Sequence, residues 1–489
     1  MLNDAREVPD GTLLETDVCI IGGGAAGISM AREWAGSSLD VTLLESGGLA
    51  SDPRTQALYR GRVFGRSYFR LDEARTRHFG GSTNCWHGMC RPLDPLDFEE
   101  RAWVPGSGWP FGLAELRPHY ERAQRVCGLA AFEYGAERWT LEGEPPIAFT
   151  DDAIESRVFQ IAPRRFASLY GQALERARNV NVQLNANLIE LEADADARRV
   201  ERAQVATLAG GRFAVRARHF VLATGGIENA RLLLASRGVR SAGLGNDFDL
   251  VGRHFMEHPH LVAGAWLPSS ASIPIGFYRP RRAGEIHVAG LLTPSARVQR
   301  EERILSFASF FSRAAELPDF EGRLTRFIAE MDGAPDPASR AVFFMNEVEQ
   351  APNPWSRVRL TEERDALGVP RVQLEWRLSP IDKRTLWQGQ RLLARSLGRA
   401  GLGRLQVLLE EDEHSWPANL GGGRHHMGTT RMHVDPRHGV VDANCRVHGV
   451  ANLHVAGSSV FPTSGSANPT LTLIALALRL ADHLKRELR

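Results

Sequence analysis

A glycine-rich turn close to the amino terminus limits the fold of this chain more than any other feature. The preceding residues 17–21, DVCII, form a short apolar run of the kind that a parallel strand buried on both faces requires. The turn itself, GGGAAG at 22–27, opens a helical pattern, and a second apolar run ends at Glu45. This order of strand, glycine turn, helix, strand and acid predicts a dinucleotide-binding unit in a parallel sheet.

Each part of this unit has a physical role in holding a dinucleotide. Gly22 permits the tight turn, Gly24 lets a pyrophosphate approach the backbone, and Gly27 lets helix and sheet pack closely. Free amides at the helix start face the phosphates, and Glu45 is placed to accept hydrogen bonds from a ribose diol. The turn alone does not decide between NAD and FAD. We assign cofactor contacts here to Gly22, Gly24, Ala25, Ala26, Gly27, Glu45 and Ser46.

Two further stretches have the composition of backbone that lines a ligand. Residues 75–93, RTRHFGGSTNCWHGMCRPL, follow no clean period, and their glycines and small polar side chains suit close approach to a ring. An ordinary surface loop is the alternative. Residues 219–226, HFVLATGG, predict a buried strand that leads into a helix, and a plain strand-to-helix turn is the alternative there. The predicted cofactor contacts are Gly81, Ser82, Asn84, Cys85, Trp86, Leu188, Ala223, Gly225 and Asn229.

The cysteines favour neither a metal site nor a disulfide framework. Cys85, His87 and Cys90 lack a second pair with ligand spacing, so we predict no metal. The chain has five cysteines, and this odd, sparse set fits reduced thiols better than structural disulfides. A reducing compartment follows, and we expect a cytoplasmic location.

Length and charge limit the partners. A chain of 489 residues suits two domains, or one large domain with an insertion. A net charge of +1 gives no bulk attraction to nucleic acid or to an acidic membrane. We see neither a secretory signal nor an apolar run long enough to span a membrane. Small molecules are therefore the expected partners.

The pattern changes beyond residue 255. Four runs alternate between apolar and polar residues, which predicts an antiparallel sheet with one face covered, and a helical pattern at 385–402 closes the region. We also predict an amphipathic segment at 316–331. The chain then divides into a discontinuous dinucleotide-binding domain, 1–254 and 415–489, and a substrate-binding domain, 255–414. Pocket candidates in the second domain, for which core or surface positions are the plainer alternative, are Tyr278, Phe310, Phe311 and Glu347.

Residues 421–470 combine a histidine pair, many glycines and an Asn-Pro-Thr at a helix start. Polar groups at such density would all need partners if the segment were core, so we interpret it as functional. Adjacent side chains usually point in different directions, so we do not expect both His425 and His426 to face one substrate.

Taken together, the motifs resemble those of the glucose-methanol-choline (GMC) oxidoreductases. They are, in the family's order, GGGAAG with Glu45, FGGSTNCWHG, VGRHFMEHP, HHMGTTRM and GVVDANCRVHGVANLHVAGSSVFPTSGSANPT. The resemblance implies an α/β fold, α+β overall, in which a Rossmann-like FAD-binding domain of the glutathione-reductase type carries an inserted antiparallel-sheet substrate domain. The pairing of His and Asn is most similar to the pyranose oxidase and sugar or glycoside dehydrogenase branch.

The same resemblance implies an activity and its residues. Family members oxidise an alcohol by passing a hydride to the flavin, and the spacing His-x-x-Gly-Thr selects His425 as the base, with His426 as the rival. Asn468 would orient the substrate hydroxyl. A neutral imidazole can take a hydroxyl proton near pH 7, which agrees with this role. The implied flavin contacts at the carboxy-terminal side are Gly457, Ser458, Asn468, Pro469 and Thr470.

Several points stay open at the level of sequence. Sugar-oxidising relatives often carry a histidine, sometimes linked to FAD, where this chain has Cys85; we therefore expect noncovalent FAD, with a thioether through Cys85 as the alternative. The expected substrate is a secondary alcohol of a sugar or glycoside, oxidised to a ketone. A sterol, a biosynthetic intermediate or another nonsugar alcohol, and a flavin-bound hydroxynitrile lyase, are the alternatives. The electron acceptor is oxygen or another acceptor.

Overall fold

The computed structural model describes residues 1–162, 165–273, 275–313, 341–412 and 415–489. The amphipathic segment predicted at 316–331 lies outside these residues. In chain order, the strands are β1 Leu2–Asp4, β2 Leu13–Ile21, β3 Val41–Leu44, β4 Gly61–Gly65, β5 Met89–Cys90, β6 Ile154–Ile161, β7 Val180–Leu184, β8 Asn187–Ala193, β9 Val200–Ala206, β10 Arg212–Leu222, β11 Pro259–Pro268, β12 Arg281–Ala283, β13 Ile286–Pro294, β14 Phe307–Arg313, β15 Val342–Val348, β16 Arg357–Arg364, β17 Pro370–Trp376, β18 Gly403–Val407, β19 Gly421–Gly422 and β20 Leu453–Val455.

The α-helices are fewer and vary in length from one turn to five. They are α1 Ala25–Trp34, α2 Pro53–Gln56, α3 Pro95–Phe98, α4 Leu113–Cys127, α5 Phe166–Arg176, α6 Glu228–Ala235, α7 Ala296–Glu302, α8 Pro380–Arg399 and α9 Thr470–Glu487. Within the described ranges, none of them combines the length and the apolarity that crossing a membrane would need.

The first sheet is mainly parallel and contains the predicted dinucleotide unit. Its strand order is β1-β7-β3-β2-β10-β9-β8, and β20 adds beside β10. The strands from β1 to β10 in this order, and β20, run parallel, whereas β9 and β8 form an antiparallel extension. All four residues of β3 are buried, as expected of a strand covered on both faces. Helix α9 packs against α1 and α4 on this sheet.

The second sheet is antiparallel throughout. Its order is β18-β11-β15-β14-β13-β6-β5, with β12 beside β13 and β19 beside β11. Helix α8, which begins in a capping box at Ser379 and Asp382, packs against this sheet. Strands β5 and β6 come from the chain before residue 255, so the sheet combines residues from both sides of the predicted boundary. The domain limits stay a prediction.

A third, smaller sheet joins distant parts of the chain. Strands β16 and β17 form an antiparallel hairpin, and β17 also pairs in parallel with β4. The alternating runs predicted at 356–363 and 370–378 are therefore strands, but they lie outside the second sheet. Trp376, at the end of β17, is fully buried and donates its indole hydrogen to Gln350 Oε1 at 2.9 Å. This contact fixes the small sheet to the chain just after β15.

Candidate active site

A cavity of about 300 Å³ extends from the glycine turn after β2 to the start of α9. Its wall contains backbone from the turns that follow β2, β3 and β10, together with the first residues of α9. In the parallel sheet these turns lie at the carboxyl edge, which is where open α/β sheets bind their ligands. The sequence-predicted ligand stretches thus converge on one cavity.

The three glycines of the turn that were assigned roles from sequence have different surroundings. A Cβ on Gly22 would lie 2.5 Å from the Ala223 carbonyl oxygen, and one on Gly27 would lie 1.9 Å from the Gly22 oxygen. Both positions therefore need glycine for packing inside the protein. A Cβ on Gly24 would meet nothing within 4 Å, because this residue faces the cavity. Gly24 caps α1 without a side-chain hydrogen bond, so the first amides of the helix stay free for an anion.

Glu45 lies at the end of β3 on the cavity wall and is 5% exposed. Its carboxylate accepts hydrogen bonds from Gly23 N at 2.9 Å and Gly47 N at 2.7 Å. Burial raises the pKa of Glu45, and these two amides oppose that rise. The carboxylate is therefore held rigidly at the edge of the cavity.

Most residues predicted to contact the cofactor line this one cavity. Three do not: Gly27 packs against the glycine turn, Asn84 donates to Phe79 O at 2.9 Å, and Asn229 donates to Ser459 Oγ at 2.9 Å. These three support the wall from behind. The residues in the cavity wall are Gly22, Gly24, Ala25, Ala26, Glu45, Ser46, Gly81, Ser82, Cys85, Trp86, Leu188, Ala223, Gly225, Gly457, Ser458, Asn468, Pro469 and Thr470.

His425 and Asn468, the residues predicted to carry the chemistry, meet at the wall of this cavity. The Asn468 side-chain nitrogen lies 3.4 Å from His425 Nε2. The Asn468 side-chain oxygen is buried without a partner among the described residues. Burial lowers the pKa of His425 well below its usual range, so the imidazole is neutral at pH 7. A neutral ring nitrogen beside an amide donor can accept a proton from a hydroxyl group.

The other nitrogen of His425 faces a carboxylate and two further histidines. His425 Nδ1 lies 3.0 Å from His258 Nδ1 and 3.5 Å from Glu347 Oε1. His260 and Glu347 are register partners on β11 and β15, and His260 Nε2 lies 2.9 Å from the same Glu347 oxygen. Burial opposes ionisation of Glu347, but the adjacent His260, whose own pKa this carboxylate raises, outweighs burial and holds the pKa of the Glu347 carboxyl at about 2. Glu347 is therefore a buried anion next to the candidate base.

A second buried acid, Glu257, holds the backbone at residues 423–425, beside the histidine pair. Glu257 is fully buried and accepts hydrogen bonds at 3.0 Å from Gly423 N and from His425 N. It also accepts the hydroxyl hydrogen of Tyr68, whose oxygen lies 2.8 Å from His426 Nε2. Burial lowers the pKa of His426 to about 3. His426 and His425 thus have separate partners, although both residues belong to the cavity wall.

The segment 421–470 is more buried than its polar composition suggested. Thr429, Thr430 and Ser459 are fully inaccessible to solvent, and hydroxyls of the last two lie 2.8 Å apart. Polar density here therefore belongs to a core in which the hydroxyls find partners, while only a few residues face the cavity. The polar density that suggested a function is therefore explained by this core, and the functional interpretation is based on His425 and Asn468, which belong to the cavity wall.

The sequence did not identify His258, His260, Tyr68 and Glu257 as parts of this site. A signal existed for the two histidines, because residues two apart at a strand start lie on the same face of a sheet. Tyr68 carried no such signal. Glu347 was one of four pocket candidates; of the others, Tyr278 lies in the core and packs against Phe311 with 4.5 Å between ring centroids and the ring planes tilted by 50°.

Family models agree with both parts of the molecule. Residues 17–317, more than half of the chain, match the model described as FAD dependent oxidoreductase, and residues 352–477 match the one described as GMC oxidoreductase. The chain therefore belongs to the FAD-dependent oxidoreductases and has the carboxy-terminal region of a GMC oxidoreductase. The predicted family, fold class, enzyme class and FAD cofactor are confirmed.

Individual relatives are more distant. The chain is 28% identical over 526 aligned positions to paromamine 6'-oxidase of Streptomyces fradiae, covering 96% of this chain and 92% of the relative. It is 36% identical over 125 residues to C-glycoside 3-oxidase of Microbacterium trichothecenolyticum, covering 25% of this chain and 23% of that protein. The crystal structure of pyridoxine 4-oxidase from Mesorbium loti superposes with a TM-score of 0.63 at 20% identity, covering 96% of this chain and 99% of that one, and shares the fold.

The cavity fits FAD on its own geometry. Gly24 and Gly225 present open backbone, at which an added Cβ would meet no protein atom within 4 Å, so a phosphate or ring can approach closely. Helix α9 begins at Thr470, and the preceding Pro469 provides no side-chain cap, so the amino terminus of the helix offers a positive potential to the same cavity. Glu45 and Asn468 both belong to the wall of this cavity.

Proposed function

We propose that the protein oxidises a secondary hydroxyl group of a sugar or glycoside to a ketone, with His425 as the base and Asn468 orienting the hydroxyl. The observation that carries this proposal is that the two ring nitrogens of His425 lie in different environments. Its Nε2 lies beside the Asn468 amide at the cavity wall, and its Nδ1 faces His258 and Glu347. Nδ1 is thereby held by the protein, and Nε2 can accept the proton of the substrate hydroxyl.

The protein's own groups divide the work of moving the proton. Bound FAD supplies the acceptor for the hydride that leaves the substrate carbon. With its hydrogen on Nδ1, His425 donates to His258 Nδ1 and keeps the Nε2 lone pair for the hydroxyl proton. Glu347, 3.5 Å from Nδ1, stabilises the imidazolium that forms. Asn468 donates to the hydroxyl oxygen and, having no basic nitrogen, does not compete for its proton.

A sugar or glycoside substrate is supported by the convergence of polar groups and by the relatives. Sugars need several hydrogen-bonding partners in one pocket, and His425, His426, Asn468 and Arg424 all belong to the cavity wall. Two relatives whose names include a glycoside or aminoglycoside are matched, one along nearly the whole chain. We further propose that FAD is held noncovalently, because the Cys85 thiol hydrogen-bonds to Ser82 O at 3.4 Å within its own turn.

Anaerobic flavin reduction tests the proposal directly. The FAD-loaded protein is mixed, without oxygen, with a panel of pyranoses and glycosides, and the visible absorbance of the oxidised flavin is followed. Cyclohexanol serves as the matched secondary alcohol without a sugar's other hydroxyls. Bleaching by a panel member and none by cyclohexanol is the expected result. If no sugar bleaches the flavin, the substrate proposal fails; turnover of a cyanohydrin with the flavin still oxidised would instead indicate a lyase.

Readmission of air to the bleached protein then distinguishes the electron acceptors. Recovery of the oxidised flavin within seconds would make oxygen the acceptor, and a flavin that stays reduced until an artificial acceptor is added would make the protein a dehydrogenase. Acid quenching and precipitation in a parallel sample show whether the flavin remains with the protein. Flavin in the supernatant is the expected result for noncovalent binding.

A further inference from the structure

A second cavity, of about 500 Å³, lies apart from the flavin site and has a different chemical character. It is formed by the loop between α3 and α4, the turn before β11 and residues 431–438. Its volume falls in the range of sites for organic ligands, about 300–1,000 Å³. The chargeable side chains in its wall are Glu100, His254, Arg431, His433, Arg437 and His438.

Arg431 is the most unusual of these residues because it is a buried cation without a counter-ion. It is 4% exposed, its Nη2 donates to the Gly106 carbonyl, and its Nε has no partner among the described residues. Burial lowers its pKa to about 10, with no carboxylate opposing that shift, so the guanidinium is still charged at pH 7. Leaving such a charge buried and unpaired is costly.

The other buried arginines that the structure describes show what Arg431 lacks. Each forms an ion pair with a carboxylate, in four of the five cases across elements distant in sequence. The pairs are Arg75 with Glu228, Arg91 with Asp94, Arg101 with Glu349, Arg231 with Asp365, and Arg357 with Asp249. Arg431 is thus the exception in a molecule that otherwise neutralises its buried guanidinium groups.

His254 adds a second unpaired polar group to the same wall. In the part of the chain that the structure describes, its Nδ1 is buried without a partner, and its backbone adopts a φ of +57°, a left-handed conformation that is uncommon for a residue with a side chain. Burial first, and then Arg431, Arg253 and Arg357, lower the pKa of His254 to about 3. The neutral imidazole can donate one N–H to a ligand in this positive field.

The remaining charges leave the cavity positive. Arg437 is paired with Asp435 at 2.6 Å, so that these two charges cancel. Arg253 and Arg357 behind His254 share the single carboxylate of Asp249, so this group of three also keeps a net positive charge. Glu100 is exposed, and its charge has no effect on the pKa of Arg431. Within the cavity wall, the arginine without a carboxylate among the described residues is Arg431.

We propose that this second cavity binds a small organic anion through a carboxylate or phosphate group, with Arg431 as the counter-ion and His254 as an additional hydrogen-bond donor. A guanidinium matches both groups because its planar N–H donors can bind two oxygens at once. The site is separate from the flavin cavity, with which it shares no wall residue. Its occupancy does not depend on which alcohol the flavin site oxidises.

Binding of simple probes to the FAD-loaded protein tests this site. Inorganic phosphate and sodium acetate are titrated separately by calorimetry at constant ionic strength, with chloride as the reference salt. We expect saturable binding of at least one probe with one site per chain. Binding of phosphate alone would define a phosphate ester site, and binding of acetate alone a carboxylate site. Absence of saturable binding for both probes would overturn the proposal.

Variants then identify the binding residues. Arg431→Gln should weaken the probe that binds by about tenfold or more, since a hydrogen bond to a charged group contributes about that factor. Arg437→Gln is the matched control, because Arg437 lines the same cavity but is neutralised by Asp435, and its affinity should change by less than about threefold. Equal affinity in wild-type protein and Arg431→Gln would refute the assignment.

A second variant keeps the test valid if Arg431→Gln does not fold, which flavin absorbance and near-ultraviolet circular dichroism would show. His254→Asn preserves the left-handed backbone, which asparagine tolerates, and shortens the side chain. We expect it to weaken probe binding by about threefold or more while the flavin spectrum stays unchanged. Unchanged binding in His254→Asn, with Arg431→Gln unfolded, would count against the site.

Discussion

At the scale of single residues, the site depends on His425, whose imidazole must be neutral and held in one orientation. His425 lies among three other ionisable groups, and burial outweighs the Glu347 carboxylate in setting its pKa. A base whose pKa is far below 7 is fully available at neutral pH but accepts a proton less readily. Glu347 compensates in part, because its negative charge favours the protonated ring.

Removal of His425 should therefore separate chemistry from cofactor binding. His425→Ala is expected to slow anaerobic flavin reduction by about 10²–10⁴-fold while FAD stays bound, because general base catalysis contributes about that factor. Stopped-flow absorbance gives the rate, and the protein-bound flavin spectrum gives the cofactor content. His426→Gln is the neighbouring control and should reduce the rate far less. Near-normal reduction in His425→Ala would move the base to His426 or refute the assignment.

Glu347 has a distinct signature in the pH profile. Neutral His425 is the active form, so the reduction rate should be constant at neutral pH and fall as the pH drops through the pKa of His425. Glu347→Gln removes a charge that raises this pKa, so the acid limb should move to lower pH. The rate at pH 7 should also fall by roughly tenfold, because the imidazolium loses its counter-ion. An acid limb that stays in place or moves to higher pH would contradict this role.

At the scale of elements, the strand-turn-helix unit that holds the cofactor contains two glycines with opposite requirements. Gly24 lies at the cap of α1 and faces the cavity, whereas Gly27 lies in its first turn against the Gly22 carbonyl. The same substitution at the two positions should therefore have different consequences. This pair distinguishes a glycine needed by the ligand from one needed by the fold.

Gly24→Ala should fold normally, since its φ of −89° is open to any residue and its Cβ would meet no protein atom. It should retain less FAD, because the Cβ projects into the cavity. Gly27→Ala should instead lower the melting temperature of the apoprotein, because its Cβ would lie 1.9 Å from the Gly22 oxygen. Scanning calorimetry of both apoproteins and their flavin content after desalting check this. A Gly27→Ala protein as stable as wild type would contradict the packing argument.

Local elements were predictable from sequence because their signals are local. The residues from β2 to Glu45 fix their own geometry through glycine spacing. The unit has the predicted order, with α1 beginning at Ala25, but β2 begins at Leu13, four residues before the predicted run 17–21. The strands β16 and β17 were also predicted, but their sheet was not. Pairing of β17 with β4 joins residues about 310 positions apart, and nothing in either run specifies that partner.

At the scale of the whole molecule, the sequence identified the two residues at the centre of the site but not their support. His425 was selected by spacing to Gly428 and Thr429, and Asn468 by its place before α9. Glu347 and His258 reach His425 from the second sheet, 78 and 167 residues away along the chain. Such contacts follow from how the two sheets meet, which periodicity within a single run does not encode.

The ion pair between Arg101 and Glu349 joins the loop between α3 and α4 to the second sheet. Arg101 lies in the loop between α3 and α4, Glu349 follows β15 of the second sheet, and Arg101 Nη1 donates to Glu349 Oε2 at 3.0 Å. Their side chains are 1% and 0% exposed. Glu349 also accepts a hydrogen bond from Ser306 N at 3.0 Å. A charge left alone at this position would be shielded from water.

Arg101→Met should therefore destabilise the protein by about 3–5 kcal/mol, because it leaves the Glu349 carboxylate buried and unpaired. Addition of Glu349→Gln should restore a large part of that loss, since glutamine is neutral and still accepts from Ser306 N. Urea unfolding followed by fluorescence measures both. Arg62→Met, which breaks an exposed pair with Glu363, is the control and should cost less than about 1 kcal/mol. If the double variant is no more stable than Arg101→Met, the loss comes from packing of the arginine stem, and the charge of the pair does not hold the loop between α3 and α4 to the second sheet.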